Sequence, residues 1–294
     1  MNTEEGRVEL RNFLIVYFYT IENQLNKDGN GLKDVKFQSE EANTDEYLKK
    51  FFKEYILSNK DIKSTSIEFL KVKTDKEELK IKISDLSNFE IANVYLPEEL
   101  TEPQKKDIAK NKTSVYTKPD LFLEIINGNK TYYETLELKS TLKDKIPGSS
   151  IQQVSPFEWV IFVKRNIDNV EVSTGFYINS ITNKLQFPDR SPRPQIGFKT
   201  LVKWNSNNRT IESNILTIEN SNEINDEKIK LLTDWQDYLA SEWLDIIKAD
   251  ESKSNEKWFN NALRKFAVKF LEYSEELNDK EKKELVKKLN SLIK

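Results

Sequence analysis

The sequence predicts an α/β fold, a central mixed β-sheet flanked by helices and followed by a helical C-terminal region, and three patterns carry that prediction. Segments dense in apolar residues at helical spacing occupy the N-terminus. Between about residues 66 and 181, short runs are either apolar throughout or alternate polar with apolar, as buried and half-buried strands do. Helical spacing then returns from residue 226 to the end. At 294 residues the chain can bury a sizeable interior, as one large domain or as a core with an appended helical region.

Taken in order, residues 8–23 carry Leu10, Phe13, Leu14, Val16, Tyr17, Phe18 and Ile21, the density of a largely buried helix. A second helix is expected over residues 44–58, capped near Asn43 or Thr44 and carrying Tyr47, Leu48, Phe51, Phe52, Tyr55 and Ile56. Residues 67–72 and 79–83 alternate clearly and suggest two or three strands within 66–95, which would extend the sheet or form a flap. Residues 97–111 read as a charged connection, helical from Pro103. Strands follow over 119–126 and 132–139, joined by Asn127-Gly128-Asn129-Lys130, a hairpin turn by composition because Asn and Gly tolerate positive φ. Residues 146–153 read as a turn leading into a short helix, 157–164 as a buried strand and 170–181 as another strand. The proline-dense segment 187–195 is bracketed by strands. Residues 226–248, 256–273 and 279–293 read as three helices, the last more charged, with Trp235, Trp243, Trp258 and Phe259 as packing residues.

The chemistry concentrates on the 119–139 hairpin. Folding it brings Asp120, at the start of the first strand, opposite Glu137 and Lys139 at the end of the second, and the two-residue spacing of that pair puts both side chains on one face. Two carboxylates a few ångströms apart repel each other unless a cation lies between them. Mg²⁺ suits them, being a hard ion bound by one or two carboxylates plus waters and phosphate oxygens. Asp120 and Glu137 are the expected ligands, with the Leu138 carbonyl a third. Such an ion lowers the pKa of a water and offsets charge on a phosphate under attack, which Lys139 would contact as a compact positive charge. This is the layout of a metal-dependent nuclease; a solvated surface hairpin is the plainer alternative.

Composition narrows the choices. The chain has no cysteine and no histidine, so thiol nucleophiles, Ser-His and Cys-His arrangements, His-Glu-x-x-His zinc sites and disulfides are excluded. A hydrolase built from it must use carboxylates, lysine, tyrosine or metal-bound water. No Gly-rich loop ending in Gly-Lys-Ser/Thr is present. No apolar run approaches a membrane span, and the polar, acidic N-terminus argues against a secretory signal, so the expected location is cytoplasmic. Net charge is −3, but residues 139–209 hold eleven Lys and Arg against five Asp and Glu, a local excess of six positive charges. A duplex backbone would require such a strip, although uneven charge is also ordinary.

Pro119-Asp120, sixteen intervening residues and Glu137-Leu138-Lys139 together resemble the PD-(D/E)XK nuclease superfamily, whose pattern is Pro-Asp, a spacer, then Glu-X-Lys. The order strand, strand, helix, strand, strand after an N-terminal helix is similar to its core. The Glu-Leu-Lys-Ser-Thr strand, the Gln-containing segment and the downstream Arg-Ser-Pro-Arg-Pro look most like a type II restriction endonuclease, over about residues 110–205. The resemblance implies residues 1–210 as a nuclease core with N-terminal helices and DNA-recognition loops. Residues 211–294 then form a helical region for packing, dimerisation or clamping DNA. It implies Asp120, Glu137 and Lys139 as catalytic residues, Mg²⁺ as cofactor and double-stranded DNA as substrate. A helical carboxylate upstream can assist the metal in such folds; Glu40, Glu41, Glu46 and Glu54 are candidates, each more readily a surface residue.

For DNA, Arg190, Arg193 and Gln195 are the first choices for base reading, because arginine bonds guanine and glutamine adenine bidentately in the major groove. Lys143, Lys145 and Lys199 are expected phosphate contacts. Ser149, Ser150, Gln152 and Gln153 would lie near the scissile phosphate, with helix capping the simpler role for the two serines. A symmetric dimer would suit a palindromic site, though monomeric members of the superfamily exist. By resemblance alone, a protective DNA methyltransferase is an implied companion. Two other readings stay open: a structure-selective or repair nuclease of the same fold, and a non-catalytic nucleic-acid-binding protein.

Overall fold

The computed structural model describes residues 4–28, 31–35, 41–42, 46–74, 77–110, 119–150, 155–166, 169–186, 193–219, 228–229, 232, 234–252 and 258–293. Two compact units divide at Leu232/Thr233. In the first, the elements in order are α1 (Glu4–Asp28), β1 (Glu41–Ala42), α2 (Glu46–Ser58), β2 (Phe69–Lys73), β3 (Glu78–Lys82), α3 (Ile83–Leu86), β4 (Phe89–Tyr95) and α4 (Glu102–Lys110). There follow β5 (Leu121–Asn127), β6 (Lys130–Thr141), β7 (Lys145–Pro147), β8 (Trp159–Arg165), β9 (Val170–Phe176), α5 (Tyr177–Ser180), β10 (Ile181–Gln186), β11 (Arg193–Gly197), α6 (Phe198–Asn208), β12 (Arg209–Glu212) and β13 (Ile215–Glu219). The second unit holds α7 (Trp235–Lys248), α8 (Trp258–Glu276) and α9 (Asp279–Leu292). The molecule is thus α/β, with mixed sheets flanked by helices and helices at the C-terminal end.

The central sheet runs β4-β5-β6-β8-β9, with β1 on β6. β4, β5 and β6 form an antiparallel meander, β8 returns parallel to β6, and β9 is antiparallel to β8. Gly128 makes the β5–β6 turn with φ of 58°, the positive value its lack of Cβ allows. Alternation sorts the faces. Leu121, Leu123 and Ile125 of β5, Leu136 and Leu138 of β6, and Trp159, Ile161 and Val163 of β8 join one core with Leu10, Phe13, Leu14, Tyr17, Phe18 and Ile21 of α1. Each such fully buried aliphatic or aromatic side chain contributes roughly 1.5–3 kcal/mol. The intervening residues, Glu137 and Lys139 among them, are therefore on the opposite face, where polar chemistry does not interrupt the core.

Several expectations change here. β2 and β3 do not extend the central sheet; they join β12 and β13 in a separate sheet of order β12-β13-β2-β3, with β13 parallel to β2. Residues 211–219, assigned from sequence to the helical region, are thus part of the first unit. Ser213 and Asn214, both at positive φ, turn the β12–β13 hairpin. Residues 145–147 form a strand where a turn was expected, because β7 pairs with β11 in a third sheet, β10-β11-β7; residues 151–154, part of the expected short helix, lie outside the described residues. The strand expected to run to 181 stops at Phe176, and the buried turn of α5 redirects the chain. The α6 helix was not among the expected elements. Three C-terminal helices are present as expected, the first starting at Trp235 instead of 226; Leu239 is buried in α7, whereas α8 and α9 bury none of their described side chains. Among the described residues, no helix is long and apolar enough to cross a membrane.

Candidate active site

Asp120 immediately precedes β5, and the β5–β6 register, Leu121 opposite Leu136, carries it to Glu137. Asp120 and Glu137 are each 5% exposed and Lys139 is fully buried. Asp120 Oδ2 accepts a hydrogen bond from the Leu138 N–H at 2.8 Å. In an extended strand the N–H and C=O of one residue leave by the same edge, so the Leu138 carbonyl also points toward the edge that Asp120 occupies. Lys139 Nζ donates to Glu137 Oε1 at 2.6 Å. The three residues singled out by sequence therefore form one buried cluster.

Three further groups complete it. Lys49 of α2 places its Nζ 3.2 Å from Asp120 Oδ1 and 3.5 Å from Glu46 Oε1. The stripe Leu48, Phe52, Ile56 buries one side of α2 and leaves Lys49 on its flank, 12% exposed, beside the start of β5. Ser149 Oγ donates to Glu137 Oε1, so this serine orients the carboxylate. The Ser149 N–H in turn donates to the Tyr177 hydroxyl at 2.8 Å. Sequence reasoning missed Lys49 and Tyr177. For Lys49 the only signal was its place beside the apolar stripe of α2; its partner, seventy-one residues on, was not visible.

The electrostatics follow from burial. Burial, then the nearby Glu137 charge, push the Asp120 carboxyl from 3.8 up to about 6, against the opposing pull of Lys139, the Leu138 N–H and Lys49. Burial alone would lower the Lys49 ammonium; the Asp120 and Glu46 carboxylates outweigh it and hold the group above its ordinary value. Burial and the Glu137 charge push the Tyr177 phenol far up.

As for metal ligands, the described residues contain no group of three or more acidic, histidine or cysteine side chains. Two carboxylates and a main-chain carbonyl do not make a complete protein cage. They do fit Mg²⁺, which keeps several waters and uses one or two carboxylates with substrate phosphates. Of the upstream glutamates, Glu46 reaches the site only through Lys49 and its side chain is 61% exposed; Glu54 is exposed, Glu41 lies opposite Thr141 on β1, and Glu40 is outside the described residues.

The expected DNA contacts divide. Lys143, Lys145 and Lys199 are exposed, and the Lys199 N–H donates to Asp144 Oδ1, holding the start of α6 beside β7. Ser150 is buried. Gln195 is half-buried with its amide oxygen accepting from Thr182 Oγ1 at 3.0 Å, so that acceptor is committed within the sheet. Arg193 is half-buried, and among the described residues its Nε has no hydrogen-bond partner. Gln152, Gln153 and Arg190 lie outside the described residues. Comparisons with protein families, curated proteins and solved structures find no match to this chain, which leaves the site itself as the ground for a function.

Proposed function

We propose that this protein is a Mg²⁺-dependent, site-specific double-strand DNA endonuclease of the PD-(D/E)XK type, acting as a type II restriction enzyme. The observation that carries the reading is the convergence of Asp120, Glu137 and Lys139, all buried, from adjacent strands onto the sheet face opposite the main core. A three-stranded antiparallel meander followed by a parallel strand supports the same reading. Asp120, Glu137 and the Leu138 carbonyl would hold the ion, which when bound supplies a Lewis acid that activates water and offsets charge on the phosphate. Lys139 presents a point charge to the scissile phosphate. Ser149 fixes the rotamer of Glu137, and Tyr177 fixes Ser149. Lys143, Lys145 and Lys199 supply exposed charge for the duplex backbone, and Arg193 has donor capacity left for a base or phosphate.

The test is cleavage of long, unmethylated duplex DNA with and without Mg²⁺, with wild type beside Asp120→Ala and Lys139→Ala. Discrete fragments that require Mg²⁺ and vanish in both variants are expected, at losses of at least about a thousandfold. A smear with the same dependence would move the substrate to damaged or branched DNA. No cleavage of duplex, junction or flap would overturn the reading.

A further inference from the structure

Each of the two carboxylates is paired with one ammonium group. Lys139 Nζ sits on Glu137 Oε1 and Lys49 Nζ on Asp120 Oδ1, with side-chain exposures of 0% and 12% for the lysines and 7% for both acids. Resting on the proposed metal site, we infer that Lys49 is a positioning and substrate-binding residue that occupies part of the cation's place until the ion arrives, then passes from Asp120 to a phosphate of the nucleic-acid backbone.

An ion held by Asp120 and Glu137 would share a small volume with both ammonium groups. At an effective dielectric near 20, like charges about 5 Å apart repel by a few kcal/mol, so one of the three must move. Lys139 is fully enclosed, its stem fixed within β6. Lys49 is the freer of the two, on the flank of a helix, with Glu46 one turn back already sharing its ammonium. A lysine is suited to this exchange, being a compact charge on a flexible four-carbon stem. The nearest anion that a substrate brings to such a site is a backbone phosphate, and Lys49 would add one contact there.

The test uses the full chain at pH 8. Mg²⁺ is titrated by calorimetry, without DNA, into wild type, Lys49→Met, Lys49→Gln, Lys49→Arg and Asp120→Asn. Removing the competing charge is expected to tighten Mg²⁺ binding roughly tenfold in Lys49→Met and Lys49→Gln, while Lys49→Arg stays near wild type. In a Lys139→Ala background with Mg²⁺ present, Lys49→Met should weaken duplex binding and reduce the slope of log affinity against log salt by about one. Unchanged or weaker Mg²⁺ binding in both folded neutral variants, or an unchanged slope, would overturn the inference while leaving the metal site standing. If wild type, Lys49→Met and Lys49→Gln all take up no Mg²⁺ and match Asp120→Asn, with duplex DNA as well as without it, the metal-site reading falls and this inference falls with it.

Discussion

Asp120 is destabilised as an anion by its own surroundings, and that has a sign that can be measured. Its carboxyl is raised from 3.8 to about 6 by burial and by Glu137, so between those values the folded chain binds more protons than the unfolded one. Unfolding free energy attributable to this group therefore falls as pH rises through the window, and the benefit of protonation is complete only below the unfolded value. Asn has a similar shape and does not titrate. The Tm of metal-free Asp120→Asn relative to wild type is expected to climb as pH rises from about 4 to about 6, then level off, the full span being on the order of 3 kcal/mol. A flat difference across that window would mean that Asp120 is not raised. On the proposed metal site, saturating Mg²⁺ is expected to reverse the sign, since an ion on the carboxylate would stabilise wild type and find less to hold in the variant.

At the scale of elements, the β5–β6 hairpin supplies the acids and the lysine, while β7 and the residues after it hold them in place. Gly148 is central to that second role. Its N–H donates to the Pro194 carbonyl at 2.8 Å, and a Cβ there would lie 2.2 Å from the Tyr177 hydroxyl and 2.8 Å from that same carbonyl oxygen. Gly148→Ala must push β7 from β11 or displace Tyr177, at about 1–3 kcal/mol. Thermal melting should show a lower Tm, and cleavage should fall as Ser149 loses its hold on Glu137; a variant unchanged in both would show that the segment gives way freely. The hairpin was legible because its signals are local: period-2 alternation, Asn-Gly at the turn, and catalytic residue types at both ends. The β7–β11 pairing was not, because a three-residue strand has too little periodicity to read and its partner lies about fifty residues away. Lys49 and the parallel β13–β2 pair share that difficulty. Each depends on contacts between distant segments, and nothing in the nearby sequence marks the partner.

For the molecule as a whole, the main core of the first unit is made, among the described residues, of side chains between Leu10 and Ile218. A chain ending at Leu232 is therefore expected to fold and melt in one cooperative transition, checked by circular dichroism and by a sharp Tm; a broad, non-cooperative melt would show that the C-terminal helices are needed for the core. The parallel pairing of β13 with β2 joins residues 215–219 to 69–73, and this bears on how the chain is made. Synthesis proceeds from the N-terminus, so Asp120, Glu137 and Lys139 leave the ribosome well before the strand that shields β2. A nascent or prematurely terminated chain that stops near residue 208 carries the complete acidic and basic set together with a bare sheet edge, the kind of surface that recruits other chains. Products that lack this last strand are therefore expected to associate through the open edge of β2 instead of accumulating as folded protein.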